Sequence, residues 1–118
     1  TNVINSKNSL LDIFKKLNIL KKKIIGYGAT AKAVTVLNYC NIDNKLIQNF
    51  TDTTPEKINM FLPGKNIKIL KYNKNILKNY DYAYLGAWNF TKEIVNKENK
   101  YIKKGLKFIT HIPYPRIL

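Results

Sequence analysis

The chain has 118 residues, 45% of them apolar, which is enough to build one core and too much to leave the chain disordered. Its apolar runs fall short of the ~18–20 residues of a membrane span, no signal-peptide pattern opens it, and a single Cys40 with a single His111 excludes an internal disulfide and a structural zinc site. The net charge of +14 comes from 20 Lys and one Arg beside 16 Asn and 16 Ile, a compositional bias rather than the arginine-rich signature of phosphate and base readers, so neither a nucleic-acid partner nor a membrane is expected.

In chain order, Ser9 and Asp12 have the spacing of a helix start, and Leu10, Ile13, Leu17 and Leu20 follow at helical intervals, predicting a helix over about Ser9–Lys22. Lys23–Gly28 is a short apolar strand ending in glycines. Thr30–Cys40 is a second helix, with Ala33, Leu37 and Cys40 on its buried face, and Leu46–Thr51 is a strand ending at Asp52. Thr53–Lys65 is irregular, with turn signals at Thr54-Pro55 and Leu62-Pro63-Gly64. Ile67–Leu70 is a weak strand, Asn73–Asn79 a short helix at best, and Tyr82–Gly86 a strong strand. Asn89–Lys104 reads as a helix capped by Asn89 and closed by Gly105. Lys107–Ile112 is the last strand, with Pro113 and Pro115 expected to stop the pairing. Both basic runs, Lys21–Lys23 and Lys103-Lys104, follow helix C-termini, where cations suit the dipole.

A leading helix followed by alternating strands and helices predicts an α/β fold: a Rossmann-like three-layer sandwich around a mostly parallel sheet of about five strands. The expected strand order is 3-2-1-4-5, all within one domain over residues 1–118. Ligands of such sheets bind beyond the carboxyl ends of the strands where the order reverses. That rule singles out Gly26–Lys32, Asp52–Lys57, Ala87–Asn89 and His111–Pro113.

Gly26-Tyr27-Gly28-Ala29-Thr30-Ala31 has the G-x-G-x-x-A spacing between a strand and a helix. Gly26 is expected to permit the tight turn, Gly28 to let a phosphate approach the backbone, and Ala31 to let helix and sheet pack closely. N–H groups at the helix start would face an anion, favoured by the dipole by about 0.3–2 kcal/mol. A plain strand–turn–helix connection fits the same pattern. Lys32 sets a cation against the positive end of the dipole, which a bound anion would offset; the abundance of lysine is the competing explanation. Asp52 stands where dinucleotide folds hold a ribose hydroxyl, or where an Asx turn would cap the following loop. Lys57 reaches a phosphate or sugar, or solvent. Trp88 offers a stacking wall and Asn89 an amide for a sugar or base, against a rim plug and a helix cap. His111 has no partner at a recognisable spacing, and Cys40 reads as inert core. No catalytic set emerges, so the chain reads as a binder.

The segments GYGATAKAVTVLNYC, TDTTPEKINMFLPG, YDYAYLGAWNFTKEI and GLKFITHIPYPRIL, in this order and spacing, resemble the C-terminal domain of SAM-dependent sugar C-methyltransferases over about residues 10–118. The resemblance implies that a zinc-binding part and a SAM-binding catalytic domain precede this segment in a longer protein. It also implies methylation of a carbon beside the ketone of an NDP-4-keto-6-deoxy sugar, with the base and the SAM site outside this chain. This segment itself would bind no cofactor. Its implied role is to hold the nucleotide-linked sugar, a dTDP-sugar or similar. Gly26, Tyr27, Gly28, Ala29, Thr30 and Lys32 would lie near the nucleotide-sugar, with Asp52, Lys57, Trp88 and Asn89 lining the cleft. The chain departs from the family pattern at Ala33-Val34-Thr35, Ile58-Asn59 and Lys65-Asn66, where polar contact residues are replaced or moved.

The expectation is therefore a nucleotide-sugar-binding domain of a C-methyltransferase-like protein in a reducing cytoplasm, not catalytic alone. An NAD(H)-binding module, resting on the glycine turn and Asp52, and a structural or dimerisation domain with an empty turn are the alternatives.

Overall fold

The computed structural model describes residues 2–111 and 115–118, residues 2–8 by their backbone. Helix α1 spans Asn2–Ile19, beginning well before the Ser9 start read from the sequence. No glycine or proline interrupts residues 2–8, so nothing breaks the helix there. It stops at Ile19, because Lys21 turns left-handed (φ 58°). The N–H groups of Lys22 and Lys21 then reach back to the carbonyls of Leu17 and Asn18, each at 3.0 Å, closing the end as a Schellman motif does.

Five parallel strands follow: β1 (Ile24–Tyr27), β2 (Asn49–Asp52), β3 (Lys68–Lys71), β4 (Tyr82–Leu85) and β5 (Lys107–Thr110). The sheet order is β3-β2-β1-β4-β5-β6, so the predicted order holds and one strand is added. Strand β6 (Arg116–Ile117) pairs antiparallel with β5. Pro115 therefore does not end the pairing; the chain turns back past it and Leu118 N–H bonds the Phe108 carbonyl at 2.8 Å. Ile112 and Pro113 lie outside the described residues.

Side chains alternate across the sheet, as the pleat requires. On one face Ile24, Phe50, Tyr84 and Ile109 pack against Leu10 and Phe14 of α1 and Leu37 of α2 (Ala31–Tyr39). On the other, Ile25, Ala83, Leu85 and Phe108 meet Ile94 of α3 (Thr91–Lys97) and Tyr101 of α4 (Asn99–Lys103). Phe14 and Phe50 are fully buried, each contributing about 1.5–3 kcal/mol of transfer free energy. The result is the Rossmann-like three-layer sandwich the alternation predicted.

Two connections shape the site. The β2–β3 link holds a 3-10 turn (Pro55–Lys57) and an antiparallel bridge from Phe61 to Lys68, with no α-helix; its Leu62 and Ile67 fill the α1–α2 face instead. The β3–β4 link is a single 3-10 turn, Ile76–Asn79. The β3–β4 link covers part of the opposite face, its Tyr80 hydroxyl donating to Asn49 Oδ1 of β2 at 3.3 Å.

The helix expected over Asn89–Lys104 is broken. A 3-10 turn (Trp88–Phe90) precedes α3, and the helix divides at Glu98, which sits between α3 and α4. Asn89 does not cap it: the first residue before α3 is Phe90, and the Thr91 hydroxyl donates to the Trp88 carbonyl at 2.6 Å. Among the described residues no helix is long and apolar enough to cross a membrane.

Candidate functional site

The strand order reverses at β1, whose neighbours are β2 and β4. The loops leaving these strands diverge and leave a cleft of about 370 Å³, the low end of ordinary ligand pockets. Tyr27, Thr51 and Asp52 line it from the sheet, Gly28, Lys57 and Tyr72 from the loops, and Ile94 and Lys97 from α3.

The glycine turn is built differently from the spacing rule. Gly26 lies inside β1 opposite Phe50, and a Cβ there would run into the Phe50 ring. Its missing side chain makes room for a core aromatic, not for a turn. Gly28 is the turn glycine. Its φ is +93°, and a Cβ would come within 2.8 Å of the Ala87 Cβ, so any side chain is strained and obstructed. The close helix–sheet approach belongs to buried Ala33, whereas Ala31 is exposed. Gly86, which the sequence pattern does not flag, completes the contact, since a Cβ on it would strike the Gly28 carbonyl.

Hydrogen bonds stitch this turn to both neighbouring loops. Ala29 N–H donates to Asp52 Oδ2 at 2.8 Å, and Lys57 Nζ donates to the Ala29 carbonyl at 2.8 Å. The other Asp52 oxygen accepts Thr54 N–H at 2.8 Å. Burial pulls the Asp52 carboxyl up, but the N–H groups of Thr54 and Ala29 and the Lys57 charge outweigh it and hold the group below its ordinary range. Thr30 caps α2: its hydroxyl accepts Ala33 N–H at 3.1 Å and donates to the Gly86 carbonyl at 2.8 Å. The first-turn N–H groups of Ala31 and Lys32 lack intrahelical partners, as at any helix start.

The sequence-derived residues fall into two groups that share Thr30. Tyr27, Gly28, Asp52 and Lys57 belong to the cleft. Lys32, Trp88 and Asn89 surround an adjoining depression of about 250 Å³, continuous with the cleft through Thr30, Ala87 and Phe90. The Trp88 ring stands 6.0 Å from that of His111, whose basicity is lowered by burial. Gly26 is buried under Phe50, and Ala29 is 4% exposed with both backbone groups engaged.

Sequence reasoning missed Glu98, which is only 3% exposed. Its Oε2 accepts the Tyr27 hydroxyl at 2.6 Å and the Tyr72 hydroxyl at 2.7 Å. Lys97 Nζ lies 4.1 Å from the centre of the Tyr72 ring. Burial, then the Glu98 hydrogen bond, drives the Tyr27 phenol far above its usual range and pushes Tyr72 up to about 12. A signal was present: Glu98 occupies the buried stripe between Ile94 and Tyr101, where a carboxylate is tolerated only with donors waiting inside.

The polar groups of the turn are largely engaged with the protein itself. The one carboxylate at the turn accepts two backbone N–H groups, and among the described residues His111 stacks near the Trp88 ring. No group of three or more His, Cys, Asp or Glu among the described residues could hold a metal ion.

Comparison with known proteins gives the family. The sequence pattern of the family described as the C-methyltransferase C-terminal domain matches residues 1–113. A relative, the C-methyltransferase NovU of Streptomyces niveus, is 35% identical over 97 residues, which is 82% of this chain and 23% of the relative. The chain therefore spans about a quarter of that relative's length.

Proposed function

This chain belongs to the family of C-methyltransferase C-terminal domains, and on that premise we propose that it holds a nucleotide-linked sugar for methyl transfer carried out by a separate catalytic domain. SAM, bound in that domain, would supply the methyl group. The work of this chain is to grip the part of the substrate that does not react. Remote binding of this kind orients the reacting end. A deoxysugar such as a dTDP-4-keto sugar is the substrate class, and the cytoplasm is the compartment we assign. Zinc finds no donor set among the described residues and is left out of the reading.

The observation that carries the reading is the cleft at the strand-order reversal opening onto the start of α2. Thr30 belongs to both depressions, and Lys32 stands beside it in the first helical turn. A diphosphate lying over Ala31 and Lys32 would meet two N–H groups, the helix dipole and an ammonium. Trp88 and Asn89 would then face the group beyond it. The NAD(H) alternative has less support at Asp52, where each oxygen accepts a backbone N–H and keeps one further acceptor site.

Calorimetric titration of the 118-residue chain with dTDP and dTDP-sugars tests this. Saturable binding supports the reading; no heat at millimolar ligand overturns it.

A further inference from the structure

The cleft contains a polar atom that no protein group uses. Thr51 is 1% exposed, lines the cleft from β2, and its Oγ1 has no hydrogen-bond partner. An unpaired buried hydroxyl is unfavourable, and valine would fill the same space without that penalty.

Beside Thr51 stand two phenols held rigid by one acid. Tyr27 and Tyr72 share Glu98 Oε2, and their rings meet edge-on at 5.9 Å and 68°. The phenolic tips are thus spent inward, leaving ring surface for the cleft. Phe90, 59% exposed, adds a further ring at the boundary with the adjoining depression. Such surfaces suit another flat ring.

The electrostatics here disfavour an anion. Asp52 and Glu93 line the cleft, and Glu98 backs the two tyrosines. Two cations also line the cleft, Lys57, whose Nζ bonds the Ala29 carbonyl, and Lys97, whose Nζ lies over the Tyr72 ring, so these three carboxylates outnumber the ammonium groups. Phosphate is better placed at Lys32, outside this part of the cleft.

We infer that the inner part of the cleft is a pocket for an uncharged, flat heterocycle, a nucleobase. Tyr27 and Tyr72 form its walls, the Thr51 hydroxyl pairs with a polar edge of the base, and Glu98 is the positioning residue that holds both walls. This rests on the nucleotide-sugar reading and assigns one portion of that ligand to named residues.

The test is titration of wild type and variants with thymidine, dTDP and inorganic pyrophosphate, with melting curves to check folding. Tyr72→Leu should weaken thymidine and dTDP by about tenfold or more, and Thr51→Val by about three- to tenfold. Pyrophosphate affinity should not change in either. Glu98→Leu should match the loss in Tyr72→Leu, while Glu98→Gln, which keeps an acceptor for the phenols, should restore most of it. If Glu98→Leu does not fold, Thr51→Val and Tyr72→Leu decide. Folded variants that bind thymidine as wild type does, or that lose pyrophosphate by the same factor, overturn the pocket. Unaltered dTDP-sugar binding in those variants would sink the pocket and leave the nucleotide-sugar reading standing. Thymidine binding without any binding of dTDP-sugars would do the reverse, and a wild type that binds none of them ends both.

Discussion

Asp52 and Lys57 hold Ala29 from opposite sides: the carboxylate takes its N–H at 2.8 Å and the ammonium takes hold of its carbonyl at 2.8 Å. Both contacts cross from the β2 loop to the β1–α2 turn. The glycine turn is thus clasped by the neighbouring loop, and on the proposed reading this lowers the ordering cost of binding.

Asp52→Asn should destabilise the fold by about 1–2 kcal/mol, the lower end for hydrogen bonds to a charged group because the side chain is only half-buried. The Asp52 carboxyl is held below its ordinary value in the fold, so its contribution is complete at neutral pH. It should fade only as pH falls below about 4 and through the folded value. Urea midpoints measured from pH 7 down to pH 3 should show that loss in wild type and a shallower one in Asp52→Asn. Equal slopes would count against the clasp.

Tyr72, pushed up to about 12, should remain protonated while ordinary phenols ionise near pH 10. Its stabilising contribution is full below pH 10 and is lost as pH rises from there toward the folded value. Absorbance titration near 295 nm should show several late phenols in wild type, because Tyr27, Tyr80 and Tyr84 are raised as well. Tyr72→Phe should reduce the late amplitude by one phenol. A single uniform transition in wild type would contradict the Glu98 assignment.

Gly26→Ala and Gly28→Ala should fail for different reasons. The first over-packs the core against Phe50, costing about 1–3 kcal/mol, and Phe50→Leu should recover part of that in the double variant. The second meets a positive φ and the Ala87 Cβ, costing about 1–3 kcal/mol, and Phe50→Leu should not help it. Thermal melts of wild type, the three single variants and the two double variants distinguish steric from conformational cost.

Lys32→Ala should leave the fold intact or slightly more stable, because it removes a cation from the positive end of α2; the expected gain is up to about 1 kcal/mol. The same change should weaken dTDP binding several-fold and flatten its salt dependence. A variant that binds dTDP as tightly as wild type would place the phosphates elsewhere.

The sequence by itself determined the layers, the strand order and the sheet edge where the order reverses. These follow from local periodicity, turn residues and the handedness of crossovers, all of which act over short stretches of chain. The irregular Thr53–Lys65 segment was legible too, since its proline and glycine residues forbid a regular helix. Tertiary structure alone decided what the site residues do. The Gly26 role depends on Phe50 in another strand, and the engagement of Asp52 depends on a turn 23 residues earlier. Tyr27 and Glu98, 71 residues apart, meet only because β1 and the α3–α4 break fold onto one another. A lone acid in a helical stripe gives its position but not its donors. Those come from packing, where a buried carboxylate survives only beside groups that satisfy it.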